Sequence, residues 1–167
     1  LASEALSAWQ LSEQLKQAIS ENTIEAWLQP IVNMETRKPI GFEALARWEI
    51  SPGNFIPPNQ FIPIAEEYGL IEELGNIMLR KSCRLLSECH KMSVDFKDLY
   101  VSVNVASSQL EKSSFLPSVK RLIENYHIQP HLLQLEITER EAVNPNQEVV
   151  PLLHKAHEMG FKIALDD

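Results

Sequence analysis

From residue 40 onward the chain alternates apolar, strand-like runs with amphipathic, helix-like ones, and the strands carry oxygen-bearing side chains at their ends. Residues 40–48, 99–105, 132–137 and 161–166 read as strands. Residues 60–68, 72–91, 115–126 and a segment running from Pro145 or Glu148 to Met159 read as helices. Near-continuous apolar strands separated by helices call for an α/β fold with a parallel sheet covered by helices. The sheet is either open and doubly wound or closed into a barrel. No glycine-rich phosphate loop follows any strand, which weighs against the nucleotide-binding open sheet.

The start of the chain departs from this alternation. Residues 2–19 favour a helix with Leu6, Trp9, Leu15, Ala18 and Ile19 about one face. Residues 24–32 read as a strand whose end Pro30, lacking an N–H, places at an edge or bulge. Only the polar turn at 33–39 separates it from the next strand, so the two must be antiparallel, because a parallel return needs a crossover of about a dozen residues. Residues 51–59 are rich in Pro, Gly and Asn and read as a loop. Gly69 and Gly160 close the helices before them. Pro63 is tolerable if it lies near a first helical turn, and Pro151 pushes the start of its helix downstream.

Charge and length narrow the function classes. The net charge of −8 is spread over interspersed acids and bases, so there is no basic stripe for a nucleic-acid polymer or an anionic membrane. No apolar run approaches the roughly 20 residues that span a bilayer, and no signal-peptide pattern opens the chain. Cys83 and Cys89 lie about 9 Å apart along one helix and on different faces, too far to bridge, and read as buried thiols of a reducing cytoplasm. The chain begins at Leu1 and stops at Asp166-Asp167 directly after a strand, so both ends are expected to continue into a longer protein.

The chemistry concentrates at strand ends. In Gly41-Phe42-Glu43-Ala44-Leu45-Ala46-Arg47-Trp48, alternation puts Phe42, Ala44 and Ala46 on one face and Glu43, Leu45 and Arg47 on the other. Asn104, Glu136 and the Asp166-Asp167 pair end the later strands, which in a parallel barrel share one rim with the loops that follow. Taken singly, each acid could cap a helix or face water. Together they would repel, and only a cation makes the arrangement favourable. Oxygen ligands without Cys or His select Mg²⁺, Mn²⁺ or Ca²⁺ over zinc. The five histidines stand at no strand end, Ser102, Ser107 and Ser108 have no paired base, and Trp27 and Trp48 are expected to pack in the core and rim.

These residues resemble the EAL family of cyclic di-GMP phosphodiesterases. The resemblance runs from about residue 24 to 167 through Leu28-Gln29-Pro30-Ile31, the stretch 41–48, Phe61-Ile62-Pro63-Ile64-Ala65-Glu66, Gly69-Leu70-Ile71, Val101-Ser102-Val103-Asn104-Val105, Leu135-Glu136-Ile137-Thr138-Glu139 and Ala164-Leu165-Asp166-Asp167. A second triplet, Glu4-Ala5-Leu6, has the letters without the strand setting. The resemblance implies a TIM-like (β/α) barrel with an antiparallel first strand, cut after about the fifth strand. Residues 1–22 then form a connecting helix and 23–167 the N-terminal part of an EAL domain.

The resemblance also implies site roles. Glu43, Asn104, Glu136 and Asp166 would hold Mg²⁺ or Mn²⁺, with Asp167 serving a second ion. Arg47 would hold a substrate phosphate, Gln29 would lie against the ligand, Leu45 would pack beside a guanine, and Glu139 would anchor the loop after the paired aspartates. The implied reaction is hydrolysis of the bacterial second messenger cyclic di-GMP to linear pGpG, with Glu43, Asp166 and Asp167 central to it. The rival reading is a non-catalytic cyclic di-GMP sensor or a protein-interaction scaffold. A homodimer and an upstream sensor or GGDEF domain are further expected partners, and the location is cytoplasmic. The family's base-system lysine is not within these 167 residues, so this segment alone is expected to be inactive, with unpaired strand edges and an uncovered apolar interior.

Overall fold

A computed structural model of the chain describes residues 1–145 and 148–166. The order is α1 (Ala2–Ser20), β1 (Glu25–Val32), β2 (Pro39–Ser51), β3 (Asn54–Ile56), α2 (Pro58–Glu67), α3 (Ile71–Met92), β4 (Tyr100–Asn104), α4 (Ser107–Leu110), α5 (Phe115–Asn125), β5 (Leu133–Thr138), α6 (Glu139–Ala142), α7 (Val149–Glu158) and β6 (Lys162–Asp166). The main sheet runs β1-β2-β4-β5-β6. β1 pairs antiparallel with β2, and every later pair along this path is parallel.

Local chemistry sets the boundaries. Gly69 and Gly160 adopt φ of +73° and +98° as the helices before them end, as expected of closing glycines. The helix expected from residue 60 begins instead at Pro58, so Pro63 sits in its interior and not in the first turn. α7 begins at Val149, which moves Pro151 into its first turn, where a missing N–H costs no hydrogen bond. The expected loop at 51–59 contains β3, which folds back on the end of β2 with Trp48 opposite Ile56 and Glu49 opposite Phe55. Its turn is Pro52-Gly53, and the Gly53 N–H donates to Glu49 Oε1 at 2.7 Å.

The two faces of the sheet differ in character. Val101, Val103, Leu133, Leu135 and Ile137 are buried under Met78, Leu79, Cys83 and Leu86 of α3, Val119 and Ile123 of α5, and Ala156 of α7. A second cluster joins Leu15, Ala18 and Ile19 of α1 to Ile24, Trp48, Phe61, Ala65 and Leu74. Trp48 meets Phe61 edge-on at 5.7 Å, and is core as expected. The opposite face carries Gln29, Glu43, Ser102, Gln134, Glu136 and Lys162 together with the apolar Trp27, Ile31, Leu45 and Ala164 and the ring of Tyr100. The strands are not apolar throughout, because this second face includes the polar groups. Tyr100 lies over Gly41, where any Cβ would come within 2.6 Å of its ring.

The sequence signalled no role for Lys81, yet this lysine is only 6% exposed. Its ammonium donates to Asn22 O at 3.0 Å, to Ile24 O and to Glu25 Oε1 at 2.9 Å. One cation thus joins α3 to the entry of β1. Removing it would leave two carbonyls and a carboxylate without their donor. Lys81→Met is therefore expected to lower the unfolding free energy by about 2–4 kcal/mol, read as a reduced midpoint in urea.

Both thiols are free, but Cys89 is half-buried rather than buried. Burial pushes the Cys83 thiol up to about 12. Because the folded value is raised, the linked stability is present below the unfolded value near 9 and is lost as pH rises towards 12. A disulfide-exchange reagent at pH 8 is expected to label Cys89 in the native chain and Cys83 only after denaturant is added.

Candidate active site

The ladder register decides which side chains share a face. Glu43 is paired with Ser102, Ser102 with Gln134, Asn104 with Glu136, and Thr138 with Asp166. Residues paired across a ladder project to the same side, and so do residues two apart along a strand. Glu43, Leu45, Arg47, Asn104, Glu136 and Asp166 therefore project from one face. Gln29 joins them from β1, opposite Glu43, and Trp27 stands opposite Leu45. Asp167 lies outside the described residues.

Hydrogen bonds fix the central carboxylate. Ser102 Oγ donates to Glu136 Oε2 at 3.2 Å, and Gln134 Nε2 donates to Ser102 Oγ at 3.0 Å. Ser102 is thus a buried support for Glu136. Its signal in the sequence was the period of two in Val101-Ser102-Val103-Asn104, which sets it on the Asn104 face.

Burial raises the Glu136 carboxyl above its ordinary value, and the negative charges of Asp166 and Glu43 raise it further, against the lowering effect of the Ser102 hydrogen bond. Glu136 thus feels the charge of two further carboxylates on this face. Their donor chemistry, with the Asn104 amide oxygen, suits a hard divalent cation, which would convert the repulsion into attraction. Among the described residues no three His, Cys, Asp or Glu side chains converge as a finished cage. The ladder sets Asn104 level with Glu136, Glu43 level with Ser102 and Asp166 level with Thr138, all on one face.

A cavity of about 320 Å³ opens beside these residues, lined in part by Leu45, Arg47, Asn104, Glu136, Ile62 and Met78. Its wall is tied by a contact that the sequence reading passed over. Glu141 Oε2 accepts the Thr138 hydroxyl at 2.8 Å, while Glu141 Oε1 accepts the Ser107 N–H at 3.0 Å. One carboxylate therefore caps α6 and holds the turn after β4. The spacing Thr138-x-x-Glu141 is the signature of a capping box and could have revealed it. Glu139, expected to anchor a loop, is exposed in the first turn of α6.

Trp27 is the clearest departure from expectation. It is not a core residue but is 53% exposed on the site face, across the ladder from Leu45. The Arg47 guanidinium stands 5.4 Å from its ring centre, and Phe55 meets it edge-on at 5.7 Å. The second triplet, Glu4-Ala5-Leu6, lies on the exposed first turns of α1, away from any strand.

The family model described as EAL domain matches residues 12–167. The chain belongs to the EAL domain family. It is 30% identical over 158 residues to the cyclic di-GMP phosphodiesterase NbdA of Pseudomonas aeruginosa, covering 95% of this chain and 20% of that protein. A second cyclic di-GMP phosphodiesterase of that organism is 33% identical over 161 residues, with 96% of this chain and 27% of the relative covered. The chain thus spans about a fifth to a quarter of these relatives. Among solved structures, the PaMucR phosphodiesterase in complex with c-di-GMP superposes with a TM-score of 0.85 at 31% identity, covering 95% of this chain and 63% of that one. The cGMP-bound EAL enzyme Bd1971 gives 0.88 at 26% identity, over 99% and 46%. The fold is therefore the TIM-like barrel architecture of EAL domains, entered through its antiparallel first strand.

The like-charge crowding makes a prediction specific to this EAL domain. Glu136→Gln keeps an acceptor for Ser102 while removing one of three repelling charges. The metal-free variant is expected to be slightly more stable than the parent, by an amount that solvent screening keeps small. Millimolar Mn²⁺ is expected to raise the Tm of the parent and to leave that of the variant unchanged, as scanning calorimetry would show.

Proposed function

We propose that this EAL domain serves the metal-dependent hydrolysis of cyclic di-GMP to linear pGpG. The observation that carries the reading is the single face on which Glu43, Asn104, Glu136 and Asp166 are presented, with Glu136 already under the charge of Glu43 and Asp166. The phosphodiesterase names of its relatives and the ligand of the PaMucR complex agree with it.

In this reading the four residues hold Mg²⁺ or Mn²⁺, and Asp167 contributes to a second ion. Such ions supply charge neutralisation at the phosphodiester and a water of lowered pKa. The chain's own groups do the positioning. Arg47 binds a phosphate oxygen through its guanidinium, whose planar donors match that group. Gln29 lies alongside the ligand and Leu45 packs against one guanine. Gln134 and Ser102 keep Glu136 oriented from beneath. Water adds to phosphorus, one P–O3′ bond breaks, and the 3′ oxygen leaves as a hydroxyl, so the ring opens to a linear dinucleotide. Glu139 anchors the loop that follows the aspartates.

The test uses the full-length protein with cyclic di-GMP and Mg²⁺ or Mn²⁺, followed by separation of nucleotides. Formation of pGpG is expected, with loss on chelation and a decrease of at least about 100-fold in Glu43→Gln. Measurable binding without any pGpG would overturn the enzyme reading in favour of a cyclic di-GMP sensor.

A further inference from the structure

Among the described residues the Arg47 guanidinium has no ion-pair partner to fix its direction. Glu25 stands directly across the ladder from Arg47, but its carboxylate is engaged by Lys81 at 2.9 Å. Among the described residues no carboxylate forms an ion pair with Arg47. What Arg47 does touch is its neighbour's carbonyl, Nη1 donating to Ala46 O at 3.0 Å, and the ring of Trp27.

That ring is itself held from outside the β1–β2 hairpin. Phe55 belongs to β3, which the Pro52-Gly53 turn folds back along β2, and it meets Trp27 at 5.7 Å with the rings 70° apart. Trp27 and Phe55 remain 53% and 45% exposed, so neither is placed there by burial in the core. A stacked aromatic face orients a guanidinium without using up the N–H donors that an anion needs, whereas an ion pair would consume them and cancel the charge.

The geometry points to Trp27, braced by Phe55, as a positioning residue that holds the Arg47 guanidinium ready for the substrate phosphate. This rests on the phosphate-binding role proposed for Arg47 above. The short strand β3 then belongs to the site through a relay of two rings, although none of its own residues is assigned to metal or phosphate. Its sequence signal is modest: an aromatic two residues before Gln29, and another two beyond a Pro-Gly turn.

The experiment combines a ligand-free and a ligand-bound readout in the full-length protein. Without ligand, the Arg47 side-chain protons are expected to show a ring-current shift that disappears in Trp27→Leu. In binding titrations with cyclic di-GMP in EDTA, Trp27→Leu is expected to weaken affinity about 2- to 6-fold, and Trp27→Phe to recover most of it. In an Arg47→Met background, Trp27→Leu is expected to cost nothing further, since the ring acts through the guanidinium. An absent ring-current shift, an unaltered affinity in Trp27→Leu, or an equal loss in both backgrounds would overturn the role. Wild-type protein that binds no cyclic di-GMP overturns the phosphodiesterase reading and this role with it. Wild-type binding with an unaffected Trp27→Leu overturns this role alone.

Discussion

The register of the parallel ladder between β4 and β5 is the constraint on which both core and site depend. Val101 and Val103 stand beside Leu133 and Leu135, all at most 3% exposed, beneath the helices. A slip of one residue would exchange the faces of a strand, turning these side chains out and Gln134 and Glu136 in. Each buried aliphatic side chain contributes roughly 1.5–3 kcal/mol, so the slip forfeits several of them at once. The same register sets Asn104 beside Glu136 and Ser102 within reach of both Gln134 and Glu136. The apolar face thereby fixes the geometry of the polar one, and the site needs no separate scaffold.

On that polar face, like charges and a cation are kept in place by different means. Glu136 is held by hydrogen bonds from its own sheet, in an environment made unfavourable by burial and by Asp166 and Glu43. Such crowding is sustained by the rest of the fold, as functional sites commonly are. Arg47 is held by an aromatic surface and a single backbone carbonyl, and its charge stays available. Lys81 shows the opposite solution: buried, with three oxygen acceptors, it is committed to structure. The difference between the two cations is visible only in their partners, since both occur in amphipathic or alternating segments of ordinary composition.

That contrast explains what could be read from the chain and what could not. Long periodic segments were legible because burial repeats along them: α3, the strands β2, β4, β5 and β6, and the antiparallel entry of β1 all follow from spacing and loop length. The oxygen-bearing side chains of the site face were legible because parity fixes their face, with Asn104 and Asp166 at the ends of β4 and β6 and Glu43 within β2. β3, α4 and α6 are only three or four residues long, too short for a period to show, although Pro52-Gly53 and Thr138-x-x-Glu141 carried local signals. Lys81 and Trp27 escaped for a deeper reason. Lysine 81 lies 56 residues from Glu25, and the Trp27–Phe55 contact depends on how two hairpins close together. Neither partner can be inferred from the neighbours of either residue in sequence.

The exposure of Trp27 also bears on how Arg47 could meet an anion within a chain of net charge −8. Glu43, Glu136 and Asp166 make the local potential negative, so an anionic ligand meets attraction only where a cation is offered. Divalent ions would supply that beside the carboxylates. Arg47 supplies it one pleat above Leu45, and it can do so only if no nearby acid neutralises it. Lys81 draws Glu25 away, and Trp27 takes the place an acid would otherwise occupy against the guanidinium. The structural lysine, through Glu25, and the exposed tryptophan thus bear on the same quantity, the free charge of Arg47.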